Sequence, residues 1–207
     1  MADTPPASRT PVAGGNDTPP AAWVTLGQNS VADCRVFRVM RRRLRHATDG
    51  REGQFYVIEA PDWVQTLALT PRQEIILVRQ WRFGIEKLSW EPPGGVIDSG
   101  EDILAAAQRE LLEESGHAGT SPRLLASAYP NPAIQNNQTH FVLVENCVPT
   151  TPTNWDPHEE LQIGIFPLDE VRQMIRRGEI LHSLALNAFQ FLFLHLADLP
   201  APDLFAP

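Results

Sequence analysis

The chain has 207 residues, a formal net charge of -8 and 43% hydrophobic residues. That length can bury a sizeable core without disulfide or metal staples, and the acidic balance argues against general binding to a nucleic-acid backbone. Two cysteines, Cys34 and Cys147, exclude a disulfide scaffold and a cysteine metal cluster; they are expected as reduced core residues of a cytoplasmic protein. No apolar run approaches the ~18 residues of a membrane span. The first twenty positions hold Pro5, Pro6, Pro11, Pro19 and Pro20 and lack the apolar stretch of a signal peptide.

In chain order, residues 1–22 read as a flexible proline-rich tail, 23–200 as a single domain with N-terminal strands, and 201–207 as a C-terminal tail. Strands are expected at 34–43 and 55–60, joined across the Thr48-Asp49-Gly50 turn, and at 66–69 and 75–80. An extended segment, 88–95, ends in the Gly94-Gly95 turn. Apolar residues at 103, 104, 107, 111 and 112 then carry helical spacing. Ser99 or Gly100 is expected to cap this helix and Gly116 to end it. Further strands are expected at 123–128, 139–145 and 161–167, and helices at 168–177 and about 180–196. Strands first, then helices, indicate an α+β layered protein rather than a regular βαβ repeat.

The most informative residues lie on the middle helix. Glu110, Glu113 and Glu114 stand at i, i+3 and i+4, which puts three carboxylates on one helical face. Such carboxylates repel unless a cation lies between them, and hard oxygen ligands suit Mg²⁺ or Mn²⁺. Glu101 lies about two and a half turns earlier, Arg109 adjoins the cluster, and Gly94-Gly95 permits a close approach of backbone carbonyls. The same spacing also describes a solvated acidic helix face.

Residues 95–117 resemble the Nudix box, G-x5-E-x7-R-E-U-x-E-E-x-G-U, with U an aliphatic residue. Gly95, Glu101, Arg109, Glu110, Leu111, Glu113, Glu114 and Gly116 fall on motif positions, and His117 stands where the family usually has an aliphatic residue. The wider resemblance spans about 55–196. It implies a Nudix-type α/β/α sandwich with a mixed sheet and a metal-dependent hydrolase that attacks phosphorus with water. By the same resemblance, Glu110 and Glu114 ligate metal, Glu113 shares the cluster, Glu101 assists through water or a second ion, Arg109 holds the glutamates by salt bridges, and the carbonyl of Gly94 or Gly95 completes a coordination sphere.

The stretch 75–84 with Arg79 and Arg82, followed by Glu91-Pro92-Pro93-Gly94-Gly95, resembles the branch acting on ADP-ribose and nucleoside-diphosphate sugars. Either arginine suits a diphosphate. Trp63 and Trp81 are candidate base-stacking residues, and Tyr129 is a candidate for the pocket wall. A proline about sixteen residues beyond the box is common in that branch, and Pro132 stands sixteen after Gly116, with Pro130 the competing placement. The polar run containing Gln135 and Asn137 departs from the family's glycine-containing loop and is expected to select the sugar or base. The general base is expected from the late acidic loop with Asp156, Glu159 and Glu160, Glu160 being slightly preferred. His140 and His182 read as structural or pocket-rim residues. A homodimer built on the N-terminal strands is implied by the resemblance, with no nucleic-acid or membrane partner. The competing readings are a Nudix hydrolase of a modified NTP, dinucleoside polyphosphate or coenzyme, and a non-catalytic nucleotide-binding module.

Overall fold

Two strands are buried on both faces over most of their length and so mark the centre of the molecule: β4 (Trp63–Leu69) and β8 (Thr139–Pro149), paired in parallel with Trp63 opposite Thr139. The computed structural model describes residues 18–155 and 157–197. Of the expected tail at 1–22, residues 1–17 lie outside the described residues, as do the expected tail at 201–207, the three residues before it, and Asp156 of the late loop.

Around this pair the order is β6 (Lys87–Glu91), β5 (Glu74–Arg82), β4, β8, β7 (His117–Ala128), with β9 (Gln162–Pro167) also on β5. One edge of β5 pairs first with β4, at Ile75 and Ile76, and then with β6, at Val78 to Arg82; β9 takes the other edge. Because β4 and β6 diverge, the chain leaving β6 fills the gap. Thr66 N–H donates to Pro93 O at 2.7 Å and Val64 N–H to Gly95 O at 2.9 Å. A Cβ on Gly94 would lie 2.1 Å from Val64 O, so only glycine fits there.

The sheet is covered on both faces, giving the expected α/β/α sandwich. Val64, Ala68, Ile76, Val142 and Val144 pack on Ala106, Ala107 and Leu111 of α1 (Ile103–Ser115). Leu67, Leu69, Leu77, Phe141 and Leu143 pack on α2 (Leu168–Arg177) and α3 (Ser183–Leu196) through Val171, Met174, Phe189 and Leu192. Helix α1 starts at Asp102, whose carboxylate accepts from Leu104 and Ala105 N–H, and not at Ser99 or Gly100. It ends as expected at Gly116, whose φ is 70°.

A separate antiparallel sheet precedes this body: β1 (Trp23–Asp33), β2 (Arg38–His46) and β3 (Glu52–Glu59). Strand β1 carries no clear alternation and is exposed along nearly its whole length, so pairing with β2, rather than burial, makes it a strand. Cys34 sits exposed in the β1–β2 turn, against the expectation of a core residue, while Cys147 is buried. No described helix is long and apolar enough to cross a membrane.

Candidate active site

Arg109 organises the carboxylates of α1. Its Nε and Nη2 donate to the two oxygens of Glu101 at 2.8 and 2.9 Å, and Nη1 to Glu110 at 2.8 Å and Glu113 at 3.1 Å. Nη2 also donates to Val96 O at 3.0 Å, tying helix and glycine turn together. A guanidinium fork is suited to hold several acceptors at once. Glu101, hydrogen-bonded by Arg109, has its carboxyl held down to about 2.

Glu114 is 3% exposed and accepts from Gly94 N–H at 2.8 Å. Burial pushes its carboxyl up to about 8, and the charges of Glu110 and Glu159 add to that shift. Burial likewise raises Glu110 to about 6, against the pull of Arg109. Gly95 lies against Glu110, where an added Cβ would meet the carboxylate at 2.5 Å. Among the described residues, no group of three or more His, Cys, Asp or Glu side chains is gathered closely enough to hold a metal ion. The cause is visible in the bonding: Arg109 draws Glu101, Glu110 and Glu113 to itself, while Glu114 turns to the Gly94 amide. The donor set still suits a hard divalent cation, because burial disfavours the unneutralised carboxylates of Glu114 and the partly buried Glu110, and every side-chain donor is oxygen.

The late loop reaches this cluster. Asn154 N–H donates to Glu113 O at 2.9 Å and Trp155 Nε1 to Glu114 O at 3.0 Å, pinning the loop to the last turn of α1. Glu159 repels both Glu110 and Glu114. Glu159 and Glu160 line a cleft with Arg35, Trp81, Arg82 and Phe83.

On the far side of the glycine turn lies a cavity of about 630 Å³, lined by Trp63, Gln65, Arg82, Gly94, Gly95, Leu181 and His182 among others. Arg82 is fixed there by a two-pronged bond to Glu91, Nε to Oε1 at 2.9 Å and Nη2 to Oε2 at 2.6 Å, and His182 Nδ1 meets Glu91 Oε2 at 2.7 Å. Glu91 is 0% exposed. Burial alone would raise its carboxyl, but the bonds from Arg82 and His182 bring it down to about 2.

Trp63 and Arg82, expected to stack on a base and to meet a diphosphate, both line this cavity, as does His182, expected as a structural or pocket-rim residue. The bonds of Glu91 to Arg82 and His182, and the place of Gln65, were not expected: position 91 opens the EPPGG segment, but its partner His182 lies 91 residues away. Other expected residues stand elsewhere. Arg79, three positions from Arg82 on a strand, faces the opposite side; it lies 5.9 Å from the Trp90 ring centroid and shares a cleft with Trp81 and Glu160. Tyr129, Pro132, Gln135 and Asn137 are absent from the lining of the cavity beside the glycine turn. Their loop instead joins the two sheets: Ile58 N–H donates to Ile134 O at 2.7 Å, Gln138 N–H to Asp62 Oδ1 at 2.7 Å, and Gln138 Nε2 to the Tyr129 hydroxyl at 3.3 Å. Asn137 is buried there.

A divergent sheet, a glycine turn seated on its central strand and an arginine-organised glutamate helix define a Nudix-type hydrolase. The NUDIX domain profile matches residues 64–184, and the chain belongs to that family, as a pyrophosphohydrolase of nucleotide-linked substrates. It is 25% identical over 170 residues to the CMP-5'-(N-acetyl-N-hydroxy-3-aminopropyl)phosphonate hydrolase of Streptomyces rubellomurinus, covering 78% of this chain and 77% of that one. It is 26% identical over 145 residues to the ADP-ribose pyrophosphatase of Bacillus subtilis, covering 70% and 78%. A crystal structure of an ADP compounds hydrolase shares the fold with a TM-score of 0.76 at 22% identity, covering 85% of this chain and 95% of that chain.

Proposed function

We propose that the protein hydrolyses the pyrophosphate bond of ADP-ribose or a nucleoside-diphosphate sugar, giving a nucleoside monophosphate and a sugar phosphate, with Mg²⁺ or Mn²⁺ as cofactor. One observation carries this reading: the buried Glu114 and the partly buried Glu110 lie against Gly94 and Gly95, and the same two glycines line a substrate-sized cavity. The names of the two curated relatives, one for ADP-ribose and one for a CMP-linked phosphonate, support a nucleotide joined to a second group.

Glu110, Glu113 and Glu114 would hold the metal, with Glu101 and a carbonyl of Gly94 or Gly95 assisting. When bound, such an ion neutralises charge developing on the pyrophosphate and lowers the pKa of a water. Arg109 keeps the glutamates from scattering before substrate arrives. Arg82, fixed on the cavity wall, attracts the diphosphate, and Arg79 serves the neighbouring cleft. Glu159 or Glu160, carried by the loop pinned to α1, takes the proton of the attacking water. The exposed N-terminal sheet supports a homodimer.

A panel of ADP-ribose, sugar nucleotides and nucleoside triphosphates, compared by kcat/KM at matched metal and pH, tests the substrate class. The expected result is nucleoside monophosphate plus sugar phosphate from the preferred compound. A preference of ~100-fold or more for triphosphates, with release of pyrophosphate, would favour the nucleotide-triphosphate reading instead.

A further inference from the structure

A helix leaves its last carbonyls without partners of its own. At the end of α1 the segment that runs from β8 into the late loop supplies them. Thr150 and Thr151 N–H donate to Gly116 O at 2.8 and 3.2 Å, and Asn154 N–H to Glu113 O at 2.9 Å. These are backbone bonds, which any residue except proline can provide. The bond to Glu114 O is of another kind: it comes from a side chain, Trp155 Nε1, at 3.0 Å. Trp155 stays 37% exposed, so burial of the ring accounts for only part of its hold.

Glu114 is thereby held at two points. Its carboxylate accepts from Gly94 N–H at 2.8 Å and its carbonyl accepts from the indole. Glycine turn, glutamate helix and late loop meet at this one residue. Glu159 follows Trp155 by four residues, a reach of at most about 14 Å. The chain then enters β9, where Gln162 pairs with Arg79 of β5. The span that carries Glu159 is therefore held on one side by α1 and on the other by the strand that carries Arg82. Glu159 shares a cleft with Arg82, and its charge acts on Glu110, Glu114 and Arg82. Loss of the indole bond would lengthen the free span and release the carboxylate from its register with the helix.

We propose that Trp155 is a positioning residue for hydrolysis: its indole bond to Glu114 O sets where the Glu159 carboxylate stands relative to the glutamates of α1. The proposal deepens the pyrophosphohydrolase reading above and rests on it for the role of Glu159 as base. The bond itself can be measured without turnover.

The test starts from Trp155→Phe, which keeps an aromatic ring and removes the N–H donor. With the best substrate of the panel above, kcat should fall by ~10-fold or more, since a small misplacement of a reacting group suffices for that. KM should stay within about twofold, because the base acts on the chemical step. The decisive comparison uses Glu159→Gln. If the indole acts through that carboxylate, adding Trp155→Phe to Glu159→Gln should cost less than about twofold more in kcat. Losses that multiply would break the link to Glu159, and wild-type kcat in Trp155→Phe would overturn the positioning role. A readout independent of turnover is proton exchange at the indole in nitrogen-15-labelled, metal-free protein. The resonance that vanishes in Trp155→Phe should exchange at least ~10-fold more slowly than free tryptophan; exchange at the free rate would overturn the bond itself. Failure of the hydrolytic reading would look different. The indole would remain protected while the wild type showed no metal-dependent cleavage of any nucleoside-diphosphate compound, and Trp155 would then be a helix cap and not a positioning residue.

Discussion

At the scale of single residues, Glu114 carries the largest electrostatic tension, buried, bonded to a backbone amide and raised to about 8. Glu114→Gln keeps the size and removes the charge, so kcat should fall by at least ~100-fold, with the fold intact by circular dichroism; near-normal kcat would remove Glu114 from the metal site. Glu159→Gln and Glu160→Gln should lower kcat with little change in substrate binding. Glu159 has the larger expected effect because its field reaches Glu110 and Glu114. Wild-type turnover in both variants across several pH values would exclude the loop. Glu91 works by stability instead. Its carboxyl is depressed from 4.5 to about 2, so the unfolded chain binds the extra proton, and the stabilisation is complete above about 4.5 and lost as pH falls toward 2. Glu91→Gln should lower stability by roughly 3 kcal/mol near neutrality, as for other broken buried ion pairs. In urea melts the gap to wild type should narrow toward pH 3; a gap independent of pH would contradict this assignment.

At the scale of elements, the glycine turn and α1 form one device. Gly94→Ala would force a Cβ to 2.1 Å from Val64 O on the central strand. The turn would have to leave β4, with a predicted stability loss of at least ~2 kcal/mol together with loss of activity; a variant with wild-type Tm would show that the turn can shift freely. This device was legible in the sequence because it is local: helical spacing, the Gly116 cap and the carboxylate triplet all lie within 23 residues. The N-cap is Asp102, two or three residues after the expected Gly100 or Ser99, because all three residue types are competent caps. The Arg82–Glu91–His182 group was not legible, since it joins β5, β6 and the start of α3 through tertiary contact alone. The loop at 129–138, whose polar side chains read as a specificity element, also uses its backbone to join β3 and β4 to the rest, a tertiary role its composition does not show.

At the scale of the whole molecule, charge is unevenly shared. The segment 23–59 carries seven arginines against four acidic residues in a chain whose net charge is -8. This basic sheet exposes Val24, Val31, Phe55 and Tyr56, a composition suited to a second, acidic copy of the chain. Light scattering after size exclusion should give twice the 23.1 kDa chain mass, with dissociation at high salt; a monomer at micromolar concentration would contradict the dimer. The carboxylate cluster gives the metal-free protein a pH signature of opposite sign to that of Glu91. Glu114 raised to about 8 binds its proton more tightly folded than unfolded, so metal-free stability should fall as pH rises from about 4.5 through 8. Metal binding must displace that proton, so the Mg²⁺-induced rise in Tm should grow across the same window. A Mg²⁺ effect that is flat with pH would place the ion elsewhere.

The central claim is metal-dependent attack of water on the phosphorus of a nucleoside-diphosphate-linked substrate, and metal-stripped protein incubated with ADP-ribose in oxygen-18 water tests it most directly. With Mg²⁺ restored, the account predicts equal amounts of AMP and ribose 5-phosphate, with the label in the phosphate of one product, and no turnover in excess EDTA. Full turnover after verified metal removal, or products without labelled phosphate, would contradict it.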